Sequence, residues 1–368
     1  MILKAPRKIL ICPLEWGLGH AGRMIPLALK LQQMNNEILI GAGREHLALF
    51  REEVPGAMLI EFKGFKPAYS DYLPQYLILL FKLPVLIFHI ITEHRRLRKI
   101  IIKHGIDIVI SDNRFGLWHR DIKTVYISHM HRIPFPGRLK ILEPFGIFLH
   151  RFIIKKFSLC FIPDVPGELN VSGRLSHGLE LPSNTRFIGI LSRFSPPAGP
   201  GRKESQPGNR IVLVLSGPEP QRKILKQKIT DLFRNGDMEL TILEGRPGHP
   251  HDVAVSGNIR SFHHLPSMEF RRLLLESDYI IARSGYSTIM ELVSLNRTAL
   301  LIPTPGQTEQ EYLARYLSER GWFATIAQKH LGSGLVLPPC KDLPAEAIAD
   351  ESRRLLDEAL KELLDQKH

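Results

Sequence analysis

Between residues 11 and 31 the chain reads ICPLEWGLGHAGRMIPLALKL, which places Gly17, Gly19 and Gly22 at G-x-G-x-x-G spacing with His20 inside the motif. That spacing cradles a dinucleotide when the first glycine turns directly off a strand and an acid about 20 residues on holds a ribose. Here Pro13, Leu14, Glu15 and Trp16 separate the strand-like run Ile9 to Cys12 from Gly17, and Glu45 follows Gly43 and Arg44 in a loop. The segment is too long for a dinucleotide turn. It can instead deliver His20 to the start of a helix expected from about Gly22 to Leu31, where the positive end of the helix disfavours imidazolium and leaves a neutral base. The competing reading is a polar helix-start residue with no chemistry.

Other polar residues follow the ends of strand-like runs: Ser111, Asp112 and Asn113, then Ser128, His129 and His131, then Asp164. Ligands of open parallel sheets gather at such carboxyl ends. Asp112 is the second candidate base, and Asn113, His129 and His131 are candidate ligand contacts, with strand-end capping as the alternative for each. Further on, Ser277 to Gly321 reads as strand, Ser-Gly turn, helix, strand, Pro-rich loop and helix. Within it Thr288-x-x-Glu291 has the spacing of a capping box, so Glu291 has a structural explanation beside any functional one. Cys12, Cys160 and Cys340 are odd in number and widely spaced, which supports neither a disulfide framework nor a zinc site and fits a reducing cytoplasm. No Asp-x-Asp pair stands ready to hold a metal on phosphates.

These residues need a scaffold, and the pattern supplies one. Strands are expected at Ile9 to Cys12, Glu37 to Gly41, Ile106 to Ser111, Thr124 to Ser128 and Leu159 to Pro163, with helical stretches between several of them. Such alternation implies a parallel sheet covered on both faces. A Pro-, Gly- and charge-rich stretch, Ser195 to Asn209, reads as a linker. A second alternating unit follows, with strands at Arg210 to Leu215, Glu239 to Leu243, Asp278 to Ala282 and Ala299 to Pro303. The expected division is residues 1–194, linker 195–209, residues 210–340, and a C-terminal helix in 341–368 that packs back on the first domain. The fold class is α/β, two doubly wound domains facing a cleft.

With 44% hydrophobic and 23% charged residues the chain is an ordinary globular protein, but its charge is lopsided. Residues 1–160 hold 24 Lys and Arg against 12 Asp and Glu, whereas the remainder holds 25 of each. No zinc-finger spacing, RNP-like aromatic motif or recognition-helix signal accompanies the basic half, so nucleic acid is not the expected partner. Two segments join bulky apolar and basic residues, Tyr76 to Lys103 and Phe145 to Phe157. The uninterrupted apolar stretch, Leu83 to Ile91, is far short of the roughly 20 residues that span a bilayer. Two readings stand: basic amphipathic faces on an anionic membrane surface, or core helices with solvated basic edges. No secretion signal is read at the N-terminus, so a cytoplasmic location, peripheral at the inner face of the membrane, is expected.

On these residues the chain resembles the GT-B glycosyltransferases, and within them glycosyltransferase family 28, the family of the transferase that moves N-acetylglucosamine from UDP onto the peptidoglycan lipid intermediate. In that family a Gly-rich loop carrying a His opens the acceptor domain; GLGHAGR is similar, with Gly17 and Gly19 on the acceptor side and His20 in the base position. The donor domain opens with a Gly/Ser loop and helix, matched by VLSGPEPQRKIL at Ser216, Gly217 and Arg222. The family's signature turn matches Arg283, Ser284, Gly285, Ser287, Thr288 and Glu291, the glutamate being expected on the donor ribose. Its Pro-loop with paired Gln matches Pro303, Gln310 and Glu311, the second Gln having become Glu.

The resemblance implies a UDP-sugar donor, a lipid-linked or glycan acceptor, and no cofactor. The chemistry agrees with it, since a sugar nucleotide presents a diphosphate, which helix N-termini and backbone N–H groups bind without metal. Gly217 and Gly285 each precede such a helix, and Arg222 and Arg283 are expected to add charge. A metal-independent, inverting transfer of N-acetylglucosamine is the expectation. The alternatives are a UDP-N-acetylglucosamine 2-epimerase, which the basic apolar first half argues against, and a non-catalytic nucleotide-sugar-binding or membrane scaffold protein.

Overall fold

A computed structural model describes residues 6–65, 82–135, 137–194, 196, 208–217, 219–246, 253–332, 335–339 and 341–365. The first half builds β1 (Lys8–Cys12), α1 (Leu18–Gln33), β2 (Glu37–Ala42), α2 (Arg44–Glu53), β3 (Met58–Glu61), α3 (Leu83–His104), β4 (Ile108–Asp112), β5 (Lys123–Ile127), α4 (Glu143–Ile154), β6 (Leu159–Ile162) and β7 (Thr185–Phe187). The second builds β8 (Arg210–Val214), α5 (Gln221–Phe233), β9 (Glu239–Leu243), β10 (Val253–Ser256), β11 (Ile259–Phe262), α6 (Ser267–Glu276), β12 (Tyr279–Ala282), α7 (Tyr286–Ser294), β13 (Leu300–Leu301), α8 (Thr308–Glu319), β14 (Ala324–Thr325) and α9 (Ala345–Asp365). Most of the linker expected at 195–209, the start of the Tyr76 to Lys103 segment, and Cys340 lie outside the described residues.

Among the described residues each half contains one seven-stranded sheet, ordered β3-β2-β1-β4-β5-β6-β7 and β10-β11-β9-β8-β12-β13-β14. All pairings are parallel except the β10–β11 hairpin. Without that hairpin strand, both sheets follow one winding, and each reverses its direction of growth beside its first strand. Ile9, Leu10 and Ile11 of β1 are all fully buried, as a central parallel strand covered on both faces requires. The helix α3 ends on Gly105 in the left-handed region (φ 64°), where glycine carries no steric penalty.

The C-terminal helix ties the halves together. Ile348 joins the core of the second half, whereas Ala359, Leu360 and Leu363 enter the first-half core between the sheet, α1 and α2. Lys123 Nζ donates to the Leu363 carbonyl at 2.7 Å, and Arg186 makes a two-pronged bond to Glu362 at 2.8 and 2.9 Å.

The two apolar basic segments are not core helices. On α3 only Glu93 and Leu97 are buried, and on α4 only His150 and Ile154. Phe88, Phe145 and Phe148 are each about two-thirds exposed (67, 67 and 68%). The helices share one flank: Trp118 stacks on His94 of α3 at 4.3 Å, and Lys156, just past α4, lies over both Trp118 (5.2 Å) and Phe152 (4.9 Å). Among the described residues no helix is long and apolar enough to cross a membrane.

Candidate functional site

Where each sheet reverses, the loops leaving neighbouring strands diverge and open a crevice. The two crevices face one another across a cavity of about 390 Å³, lined on one side by Trp16, Gly17, Gly19 and Gly22 and on the other by Ser216, Gly217, Arg222, Ser287, Thr288 and Glu291.

The first wall is helix where a loop was expected. The helix α1 begins at Leu18, not near Gly22, with Gly17 (φ 147°) as its N-cap, so Gly19, His20 and Gly22 all sit within its first turns. Ser287 Oγ donates to the Gly19 carbonyl at 2.9 Å, and a Cβ at Gly19 would stand 3.0 Å from that side chain. Gly22 faces Glu291, whose Oε1 would lie 3.8 Å from an added Cβ. Gly19 therefore lets α1 and α7 approach closely across the domain boundary, whereas a Cβ at Gly22 would make only ordinary contact.

Behind that wall lies a buried charged network. Nδ1 of His20 is 2.9 Å from Oδ2 of Asp112. Arg23, one helical turn beyond His20, donates from Nε to Asp112 Oδ2 at 3.0 Å and from Nη2 to Oδ1, forming a two-pronged ion pair. Arg23 Nη1 also meets His129 Nδ1 at 3.2 Å, and His129 Nε2 reaches Glu309 of α8 at 2.8 Å while its ring stacks on Tyr286 at 4.0 Å. The network thus runs from one domain to the other. Burial opposes ionisation of Asp112, but Arg23 and His20 outweigh it and hold the carboxyl down at about 2. Burial also lowers the His20 pKa, against the attraction of Asp112. His20 Nδ1 lies 2.9 Å from both Asp112 Oδ2, which only accepts, and Arg23 Nη2, which only donates, so the two partners favour opposite tautomers; the one with the proton on Nδ1, held by Asp112, is the one that leaves Nε2 free to accept.

The second wall is suited to an anion. Gly217 adopts φ 90° beside Ser216 at the end of β8. Arg222 donates from Nε and Nη2 to Glu219 at 2.9 and 2.7 Å, and Arg246 reaches the same oxygen at 2.9 Å. The helix α7 starts at Tyr286 on Gly285 as its N-cap, which has no side chain to cap the first-turn N–H groups. Thr288 lies inside the helix, so the expected capping box at Thr288 and Glu291 does not form. Glu291 instead accepts from Arg193 Nε at 2.7 Å.

Several residues expected at the donor site are framework. Arg283 is fully buried, donating to the carbonyls of Ile302, Pro303 and Gln221 and to the Gln328 side chain, so its charge is spent on the backbone and not on the cleft. Ser284 Oγ donates to the Gln310 carbonyl. Gln310 accepts from the Thr304 N–H and donates to Gln307, and Glu311 accepts from the Gly306 N–H, so both brace the Pro-loop at Pro303. In the first domain, Asn113 (φ 52°) accepts from Tyr126 Oη. His131 is buried away from the cleft, 5.2 Å from the His150 ring and 3.9 Å from Cys160 Sγ, and burial drives its pKa well down.

Arg23, Arg193, Glu309 and Tyr286 were not singled out from sequence. Arg23 was legible, because it stands three residues after His20 on a helix and so shares its face. The others meet their partners only across the domain boundary, and no local spacing announces them.

Comparisons with known proteins bear on the fold and on the second half of the chain. Residues 221–337 match the glycosyltransferase family 28 C-terminal domain. A UDP-N-acetylglucosamine–N-acetylmuramyl-(pentapeptide) pyrophosphoryl-undecaprenol N-acetylglucosamine transferase of Desulforudis audaxviator is 46% identical over 71 residues, 18% of this chain and 19% of that one. A protein of the same name from Sulfurihydrogenibium sp. is 22% identical over 153 residues, 41% and 43% of the two chains. The chain therefore spans less than half the length of these relatives. In fold, the glycotransferase of kitacinnamycin superposes with a TM-score of 0.65 at 14% identity, over 98% of this chain and 100% of that one. MurG of Acinetobacter baumannii superposes with a TM-score of 0.51 at 13% identity, over 99% and 96%. The fold is GT-B, and residues 221–337 are similar to the C-terminal domain of glycosyltransferase family 28.

Proposed function

We propose that the protein is a metal-independent, inverting glycosyltransferase that moves N-acetylglucosamine from a UDP-sugar to a hydroxyl of a lipid-linked or glycan acceptor at the inner face of a membrane. The observation that carries this reading is the His20–Asp112 pair behind one wall of the cavity, opposite the uncapped N-terminus of α7. A general base and an anion-binding helix end are what the transfer needs.

In this reading Nε2 of His20 takes the proton of the acceptor hydroxyl as its oxygen attacks the anomeric carbon. The bond from that carbon to the diphosphate breaks, and the electron pair leaves with UDP. Charge on the departing diphosphate is met by the N–H groups of Ser287 and Thr288, by the Gly217 turn, and by Arg222 and Arg246. Glu291, held at one oxygen by Arg193, takes the ribose. A single displacement with base and leaving group on opposite faces inverts the anomeric centre. The absence of an Asp-x-Asp pair supports a donor bound without metal, and the names of the two relatives support N-acetylglucosamine and a lipid-linked acceptor. The exposed apolar face of α3 and α4, bordered by Arg95, Arg96, Arg98 and Lys99, supports peripheral attachment to anionic lipid.

The test is a UDP-release assay with UDP-N-acetylglucosamine and candidate lipid-linked and glycan acceptors. Release that requires an acceptor bears the reading out. Epimer formation makes the protein an epimerase, and binding without turnover makes it a scaffold.

A further inference from the structure

The network behind the first wall is not balanced in charge. Its guanidinium, Arg23, meets the Asp112 carboxylate on one side and, beyond His129, a second carboxylate, Glu309, on the other. With both histidines neutral, one negative charge is left over. The neighbouring carboxylates are matched elsewhere: on α7, Glu291 is paired with Arg193 at 2.7 Å, and Asp164, past β6, accepts from the N–H groups of Val165, Val171 and Ser172 and meets His177 at 3.1 Å. The charged and titratable groups that act on His20 are therefore Arg23 on its own helix, Asp112 ending β4, His129 beyond β5 and Glu309 on α8.

The bridge to Glu309 has a fixed direction. Arg23 only donates and Glu309 only accepts, so both partners of His129 select one tautomer, with Nδ1 accepting and the proton on Nε2. Tyr286 fixes the ring plane, stacking on His129 with 2° between the rings while its own hydroxyl donates to the Pro163 carbonyl at 2.7 Å. Burial opposes ionisation of Glu309, but His129, His20 and Arg23 outweigh it and keep its carboxyl below the usual range. Charge in such a poorly solvated network acts with little screening. A neutral base that becomes a cation is favoured by a negative charge nearby. Asp112 alone does not leave that charge in excess, because Arg23 already neutralises it through a two-pronged pair.

We propose that Glu309 is a positioning residue for the transfer: acting across the domain boundary through His129 and Arg23, it supplies the charge that offsets the imidazolium His20 becomes on taking the acceptor proton. The second domain thereby tunes the base of the first. The role of His20 as base rests on the transferase reading, whereas the coupling between Glu309 and His20 does not.

Glu309→Gln removes the charge and keeps an oxygen that can accept from His129 Nε2. The His20 pKa is read from its imidazole proton resonances in titrated protein, beside the pH profile of kcat/KM. In Glu309→Gln the His20 pKa is expected to fall by about one unit, since the imidazolium loses a nearby opposite charge. The acid limb of kcat/KM should move down with it, and kcat at neutral pH should fall about three- to tenfold, because a weaker base takes the proton less readily. Glu309→Asp keeps the charge on a shorter side chain and should leave both close to wild type, a rescue that a purely structural contact would not give. Glu309→Met, uncharged and of similar length, takes the place of Glu309→Gln should that variant not fold. An unchanged His20 pKa in a folded Gln or Met variant overturns the proposal. An acid limb that stays in place while the His20 pKa moves overturns it too, because the charge then acts on a group that is not the base. Wild-type protein with no acceptor-dependent UDP release overturns the transferase reading, and the His20 pKa in the same variants still decides the coupling.

Discussion

His20 Nδ1 lies 2.9 Å from Asp112 Oδ2, and Arg23 Nε donates to that same oxygen at 3.0 Å while its Nη2 reaches Oδ1. One carboxylate thus orients a histidine and neutralises a buried arginine. Loss of either partner should therefore read out differently.

His20→Ala is expected to lower turnover by about 10² to 10⁴, the usual worth of a positioned general base. Thermal stabilisation by UDP should be retained, since it arises in the second domain, and NAD and FAD should give none. Near-normal turnover would remove His20 from catalysis, leaving Asp112 as the next candidate base.

Asp112→Asn should cost about 3–5 kcal/mol of stability, because Arg23 is left as an unpaired buried charge. Turnover should fall as well, since the negative charge that stabilises a protonated His20 is lost. Chemical denaturation beside the activity assay checks both, and wild-type stability would show that the Arg23 clamp contributes nothing.

Acid should act in two stages. Burial lowers the pKa of His20 and His131 below 6.5 and takes His150 to about 4, so each is neutral when folded. Their contribution is complete above the unfolded value of about 6.5 and is lost as pH falls below it, for His150 down to about 4. Asp112, held at about 2 in the fold, adds stability present above about pH 4 and lost as pH falls through 2. Melting temperature measured from pH 7 to 3 should fall in that order. The acid limb of kcat/KM should lie below 6.5, and a limb above it would contradict a buried neutral His20.

Membrane attachment is expected to require anionic lipid and to weaken with salt, because exposed charge is screened over about 8 Å at physiological ionic strength. Replacing Phe88, Phe145 and Phe148 with serine should reduce vesicle binding without lowering the melting temperature, as all three are exposed. Equal partition to neutral vesicles, or none to either kind, would assign that face another role.

The central strands were legible in the sequence because parallel core strands are short, continuous apolar runs: Ile9 to Cys12 and Glu239 to Leu243 are found within a residue of where they were expected. Strands of two to four residues at the sheet edges, Met58–Glu61, Thr185–Phe187 and Ala324–Thr325, lack enough residues to show a period. The β10–β11 hairpin carries a short-range signal of its own, Gly257-Asn258 between alternating residues. By itself the sequence determined the two alternating halves, the asymmetry of charge, and the polar residues at the strand ends, since each depends only on neighbours along the chain. Tertiary structure decided which of those residues act together. His129 finds Glu309 180 positions away, Arg193 finds Glu291, and Arg283 is drawn into the backbone of its own domain. The first two pairings arise where two domains close on one another and the third where distant loops of one domain meet, and residue types in a linear pattern carry no record of that geometry.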